Sequence, residues 1–282
     1  MENIKEKKRE ITEIDHLFVD EKDARFWKTE GVRHNNLFWV RAMISRKREP
    51  APVEEEDVVL PINTSEKVRN YKTKSLLYKF LADGYNEPTE EFTRGIVNGT
   101  HSDNLGGLFK VFTGNKRMDD GRAAILNMNG QKFAETFDSL REEYCRNIYD
   151  TYLPFISPYE SVYRGERQVM GLRTSDVNER YKKAGLGVEG GEMPDYISHE
   201  CEFVSILSER IAGLLEEGNI KDAEEYEAMC VEFLRDHLLQ WGAKFCEDLL
   251  ALAKSDFYKG MALLGRGVFN KEYNRLKILG VL

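Results

Sequence analysis

Apolar residues recur at three- and four-residue spacing along most of the chain, and strand-like alternation is scarce, so the pattern predicts an almost entirely α-helical fold. The clearest stripe lies in 226–253. Tyr226, Cys230, Leu234, His237, Leu238, Trp241, Phe245, Leu249 and Leu252 fall on one face of a helix otherwise covered by Glu, Asp, Arg and Lys. Phe203, Leu207, Ile211 and Leu214 form a second stripe; Phe137, Leu140, Tyr144, Ile148 and Tyr152 form a third ahead of Pro154. Apolar stripes of this kind leave water only by packing on one another, so these helices are expected to build one bundle.

The breaks between the stripes are polar. "SRKREPAPVEEEDVVLPINTS" (45–65) reads as a charged, proline-bearing linker, after which Ser65 is expected to cap a helix reaching about Leu81; "NEP" at 86–88 starts another. "NGTHSDNLGG" and "GNKRMDDGR" read as polar turns around 98–107 and 114–122, and "KKAGLGVEGGEMP" (182–194) as a hinge between two helical halves. The expected division is an extension and linker over 1–65 and a helical domain over 66–282. Within the extension, Trp27, Trp39 and "NLFWVRAMI" predict a helix or two docked on the main body, the alternative being a free partner-binding helix.

Charge narrows the choice of partner. The formal net charge is −8, with a pI near 5.4, which argues against a phosphate-backbone binder and favours a cationic partner. Residues 201–250 hold twelve acidic and four basic residues, a net of −8, whereas 251–282 hold two and six, a net of +4, so an acidic face is expected. Cys145, Cys201, Cys230 and Cys246 lack CxxC spacing and read as buried free thiols. No stretch approaches the ~20 apolar residues of a membrane span, and "MENIKEKKRE" lacks an apolar signal core. A cytoplasmic protein without stable membrane insertion is expected.

Candidate chemistry concentrates in "GEMPDYISHECEF" (191–203), which gathers a proline, four carboxylates, a tyrosine, a histidine and a cysteine behind a glycine-rich loop. A metal site is not expected, since Phe203 stands where an HExxH pair needs its second histidine. Neither a GxSxG elbow nor a phosphate-binding glycine fingerprint is present, and no cofactor is expected. On residue type alone, Asp195 reads as the N-cap of the helix carrying Phe203, and Glu200 and Glu202 as that helix's solvated side. His237, inside the apolar stripe, reads more readily as a buried structural histidine than as a ligand contact.

Four segments in order, "FISPYESVYRGERQVMG", "TSDVNERYKKAGL", "EMPDYISHECEF" and "FLRDHLLQWGAKF" with "FYKGMALLGRGVF", resemble the TorD/DmsD/NarJ family of redox-enzyme maturation chaperones over roughly 66–282. The resemblance implies an all-α fold and no catalytic cycle. It also implies binding of the twin-arginine signal peptide or N-terminal region of a molybdopterin-dependent oxidoreductase's catalytic subunit, assisting cofactor insertion before export. The family's Glu-x-Pro-Asp-His motif falls on Glu192, Pro194, Asp195 and Tyr196, the last departing from histidine; His199 stands close to one helical turn further on. A peptide joining a cationic to an apolar segment needs carboxylates beside aromatic surface. Tyr159, Glu160, Ser161, Tyr163, Glu192, Pro194, Asp195, Tyr196, His199, His237 and Trp241 are therefore the expected peptide-binding residues. The alternatives are a small-molecule or nucleotide-binding enzyme using the hinge pocket, or a generic helical interaction module. A glycine-bearing hinge permits either a monomer or a domain-swapped dimer.

Overall fold

A computed structural model describes residues 64–282 apart from 113, 150–155, 167–170 and 189–192. The expected docking of Trp27 and Trp39, and the positions of Tyr152 and Glu192, lie outside the described residues. The elements are helices α1 (Thr64–Tyr85), α2 (Glu90–Val97), α3 (Thr100–Phe112), α4 (Lys116–Leu126), α5 (Phe133–Tyr144), α6 (Glu160–Tyr163), α7 (Leu172–Lys183), α8 (Ile197–Glu216), α9 (Ile220–Phe233), α10 (Leu239–Leu252) and α11 (Asp256–Ile278). Among the described residues there is no strand; Tyr159 and Tyr196 form an isolated antiparallel bridge. The fold is an all-α bundle, as the periodicity predicts.

α8 is the axis of the core. Ile197, Val204, Leu207 and Ile211 are completely buried, and the helix packs along α1, α9 and the π-helical turn Leu234–Leu238. Small residues set its close approach to α1, where Ser205 donates to Ser75 O at 2.8 Å. α1 is itself buried on more than one side and carries a charge inward: Lys74 pairs with Glu272 at 3.1 Å, both side chains sealed. Burial alone would raise the Glu272 carboxyl, but Lys74 and Arg275 overcome it and hold the group below its usual range. α4 and α11 meet backbone to backbone. A Cβ at Gly121 would stand 2.7 Å from both Gly260 O and Leu264 N, so only glycine fits the crossing.

Local chemistry explains where the helices differ from expectation. The segments 98–107 and 114–122 are not mainly turns; they are α3 and α4, because Asn98 accepts from Thr100 N and Asn115 from Met118 N. One residue at each start satisfies the free amides, and the polar residues beyond face water. α1 runs past Leu81 to Tyr85, whose ring is buried against Phe245 at 5.2 Å. The stripe over 226–253 is helical throughout but not uniformly α: Leu234–Leu238 form a π-turn between α9 and α10. The wider turn shifts the register and brings His237 into the core beside Leu234 and Leu238. Three cysteines are buried as expected; Cys145, in the π-turn after α5, is exposed.

Candidate functional site

The site is built where two chain segments lie antiparallel. Ile197 N donates to Pro158 O at 2.8 Å and Glu160 N to Asp195 O at 3.0 Å, flanking the bridge of Tyr159 with Tyr196. Asp195 does not cap its own helix. Its Oδ2 accepts from Ser161 N at 3.0 Å, so it caps α6 across the bridge, while α8 has Tyr196 at its N-cap position with no side-chain cap. Capping from a distant segment explains why a four-residue helix is stable enough to position Glu160 and Tyr163. The loop before α8 is held from two further sides: Tyr181 Oη donates to Pro194 O at 2.9 Å, and His199 Nδ1 lies 2.9 Å from Met193 O.

Tyr196 uses its hydroxyl where the family motif has an imidazole. It donates to Tyr85 O at 3.3 Å and lies 2.6 Å from Tyr144 Oη, joining the ends of α1 and α5 to the start of α8. Its ring meets Tyr159 edge-on at 5.6 Å and packs against His199 at 5.4 Å. Burial drives the His199 pKa down to about 4, against the opposing pull of Met193 O and Asp195, so the imidazole is neutral at physiological pH. A neutral ring donating Nδ1–H to Met193 O is thus a fixed pin of the loop.

α6, α8 and the π-turn bring an acidic cluster together. Glu160 Oε2 lies 2.8 Å from His237 Nδ1, and Glu200 Oε2 accepts from Trp241 Nε1 at 3.0 Å. Glu160, Asp195, Glu200 and His237 are all sealed from solvent. Glu200, expected on the solvated side of α8, is instead inside, and burial followed by the charge of Glu160 lifts its carboxyl well above the usual range. Glu160 Oε1, Asp195 Oδ1, Glu200 Oε1 and His237 Nε2 make no hydrogen bond among the described residues, an arrangement that proteins tolerate at a cost. Glu202 keeps more solvent contact and stands 3.7 Å from Lys79.

Above this buried layer lies an accessible one. Tyr163 packs at a tilt against Trp241, ring centroids 5.3 Å apart, and donates to Asp248 Oδ2 at 3.0 Å. α6 packs on α7, and each leaves a large apolar residue in water: Val162 is 53% and Leu172 85% exposed. Half-exposed Asp176 of α7 stands 3.5 Å from His237 Nε2, linking the buried cluster to that surface. Of the expected residues, Glu160, Ser161, Pro194, Asp195, Tyr196, His199, His237 and Trp241 converge in the buried layer, and Tyr159 and Tyr163 are half-buried at its edge. Residue-type reasoning missed Glu200, Tyr181, Asp176 and Asp248. Glu200 had a signal: it stands at helical spacing from Ile197, Val204, Leu207 and Ile211.

Among the described residues, no group of three or more His, Cys, Asp or Glu side chains is placed to hold a metal ion, and no helix is long and apolar enough to cross a membrane. An all-helical bundle with a buried acid and histidine cluster at the junction of two chain segments defines the class. Residues 115–247 match the family model described as nitrate reductase delta subunit, a span that starts at the cap of α4 and includes every expected site residue. The match bears out the resemblance to the TorD/DmsD/NarJ family, whose members are molybdoenzyme maturation chaperones. A comparison with curated proteins found no match.

Proposed function

We propose that this protein is a cytoplasmic chaperone that binds the twin-arginine signal peptide or N-terminal region of a molybdopterin oxidoreductase's catalytic subunit. It holds that subunit competent for cofactor insertion and delays its export. The mechanism is reversible binding rather than a catalytic cycle.

The observation that carries this reading is the pairing of exposed apolar Val162 and Leu172 with the carboxylates Asp176 of α7 and Asp248 of α10. A signal peptide offers an apolar stretch and guanidinium groups, so it needs both on one surface. Leu172 and Val162 take the apolar stretch; Asp176 and Asp248 face the arginines, and Tyr159 and Tyr163 offer rings for stacking. The buried residues have a different duty. Glu160, Asp195, His237 and Trp241 fix α6 against α8 and α10, and so set the shape of the surface the peptide meets.

Affinity capture with the full chain from cells expressing a molybdopterin oxidoreductase tests the reading. Co-purification of the catalytic subunit with its signal peptide intact is expected. Capture that survives deletion of the signal peptide and N-terminal region would move recognition to the folded enzyme.

A further inference from the structure

Carboxylates at the edge of the proposed peptide surface are already held by arginines of the chain itself. Arg180 of α7 reaches across to the end of α9 and the π-turn, where its Nη1 donates to Glu232 at 2.9 Å and its Nη2 to Asp236 at 3.3 Å. Its Nε stands 3.7 Å from Asp176 on its own helix. Arg235 forks onto the same Asp236 at 2.7 and 2.8 Å. Two guanidinium groups thus sit among three carboxylates, and every member keeps between a quarter and a half of its side chain in water.

α7 does not need Arg180 to stay in place. Val177 and Tyr181 are completely buried, and the Tyr181 ring lies 4.6 Å from Phe203 and 5.8 Å from Phe233. Part-exposed ion pairs contribute little beside such burial, so the helix remains docked when the guanidinium leaves. A separate feature points to what the carboxylates take. His237 Nδ1 faces Glu160, and in the tautomer with its proton there Nε2 is an acceptor. That sealed nitrogen makes no hydrogen bond among the described residues and stands 3.5 Å from another acceptor, Asp176 Oδ2. The pair lacks a donor, and a guanidinium carries only donors, fixed in one plane.

Resting on the signal-peptide reading above, we propose that Asp176, Glu232 and Asp236 form the subsite for one arginine of the client, and that Arg180 holds it in the free protein as a stand-in that the client's guanidinium displaces. The exchange replaces one guanidinium by another on the same carboxylates, so it costs little. A lysine, a point charge without the fork, displaces the stand-in poorly. The Arg235 hydrogen bond first, then the charges of Arg235 and Arg180, hold the Asp236 carboxyl below its usual range against burial, so the anion is present for the exchange.

Titration calorimetry of the full chain with a synthetic twin-arginine signal peptide from a molybdopterin oxidoreductase tests it on the parent, Arg180→Gln, Arg180→Ala and Lys183→Ala. The last removes an exposed charge of α7 outside the cluster. Each Arg180 variant is expected to bind about fivefold tighter than the parent, and Lys183→Ala within about twofold of it. Adding Glu232→Gln to Arg180→Gln is expected to return the affinity toward the parent value. Folded Arg180 variants that bind no tighter than the parent would overturn the stand-in, as would a gain that Lys183→Ala matches or loss of the fold in both Arg180 variants. Binding by none of the proteins would instead contradict signal-peptide recognition itself, and the subsite with it.

Discussion

Glu160 and His237, 77 positions apart, meet at 2.8 Å with both side chains sealed from solvent. The π-turn at Leu234–Leu238 brings the imidazole inward, and Asp195, capping α6 from the far side of the bridge, brings the carboxylate. The contact ties the short helix that borders the proposed peptide surface to the longest apolar stripe of the chain. Glu160→Ala is expected to cost about 3–5 kcal/mol in urea unfolding, because it leaves a buried imidazole without its partner. Glu160→Gln, which keeps an acceptor for Nδ1–H, is expected to lose roughly 1–2 kcal/mol.

Glu200 and His199 are adjacent in sequence and oppose one another in pH dependence. Burial lifts the folded Glu200 pKa above its unfolded value, so its contribution is fully present below the unfolded value and lost as pH rises through the folded one. Glu200→Gln keeps an acceptor for Trp241 Nε1 and removes the titration. The variant is expected to gain stability over the parent progressively as pH rises above about 4.5. Equal gains at pH 4 and pH 8 in urea unfolding would contradict a raised carboxyl.

His199 works in the other window. Its folded pKa of about 4 lies below the unfolded value near 6.5, so the unfolded state binds the proton first and stability falls as pH drops between the two. The full loss is roughly 3 kcal/mol at pH 4. His199→Gln is expected to flatten that part of the profile, which thermal unfolding between pH 7 and pH 4 reads directly.

Gly121→Ala tests the close crossing of α4 and α11. The added methyl would meet main-chain atoms of Gly260 and Leu264, which cannot move aside as a side-chain tip can. A loss of about 1–3 kcal/mol is expected. A neutral result in chemical denaturation would mean the two helices separate freely.

The bundle was legible because helix burial is periodic: the stripes of α8, α9 and α10 state which faces meet, and all three pack as their spacing requires. The π-turn was not legible, since a one-residue change of register leaves the apolar spacing at 234, 238 and 241 intact. α3 and α4 were hidden by their glycines and polar residues, which local propensity assigns to turns and which caps at Asn98 and Asn115 turn into helix starts. At the site, residue type pointed to Glu160, Asp195 and His237 but not to their partners. Asp195 was expected to cap the helix that follows it, and no local pattern reveals that it caps α6 from 34 residues away. Glu200 was assigned to water by its charge although its spacing put it on the apolar face; for a residue beside a tryptophan donor, position outweighed charge.

Asp195→Asn separates shaping from contact. The asparagine oxygen still accepts from Ser161 N, so a stability change within roughly 1 kcal/mol is expected. If Asp195 only holds α6 in place, peptide affinity measured on that folded variant stays near the parent value. A fall of about 1–3 kcal/mol in binding would show that the client's arginine reaches the buried carboxylate.

The most direct measurement is titration calorimetry of the full chain with a synthetic twin-arginine signal peptide from a molybdopterin oxidoreductase. One-to-one binding is predicted, weakening as salt is raised, because part of the attraction is ionic. Asp176→Asn and Leu172→Ser, both on the exposed face of α7, are each predicted to weaken it by about tenfold, or ~1.4 kcal/mol, with unfolding unchanged. Absence of binding to the intact protein, or affinity indifferent to salt and to both substitutions, would contradict signal-peptide recognition at this surface.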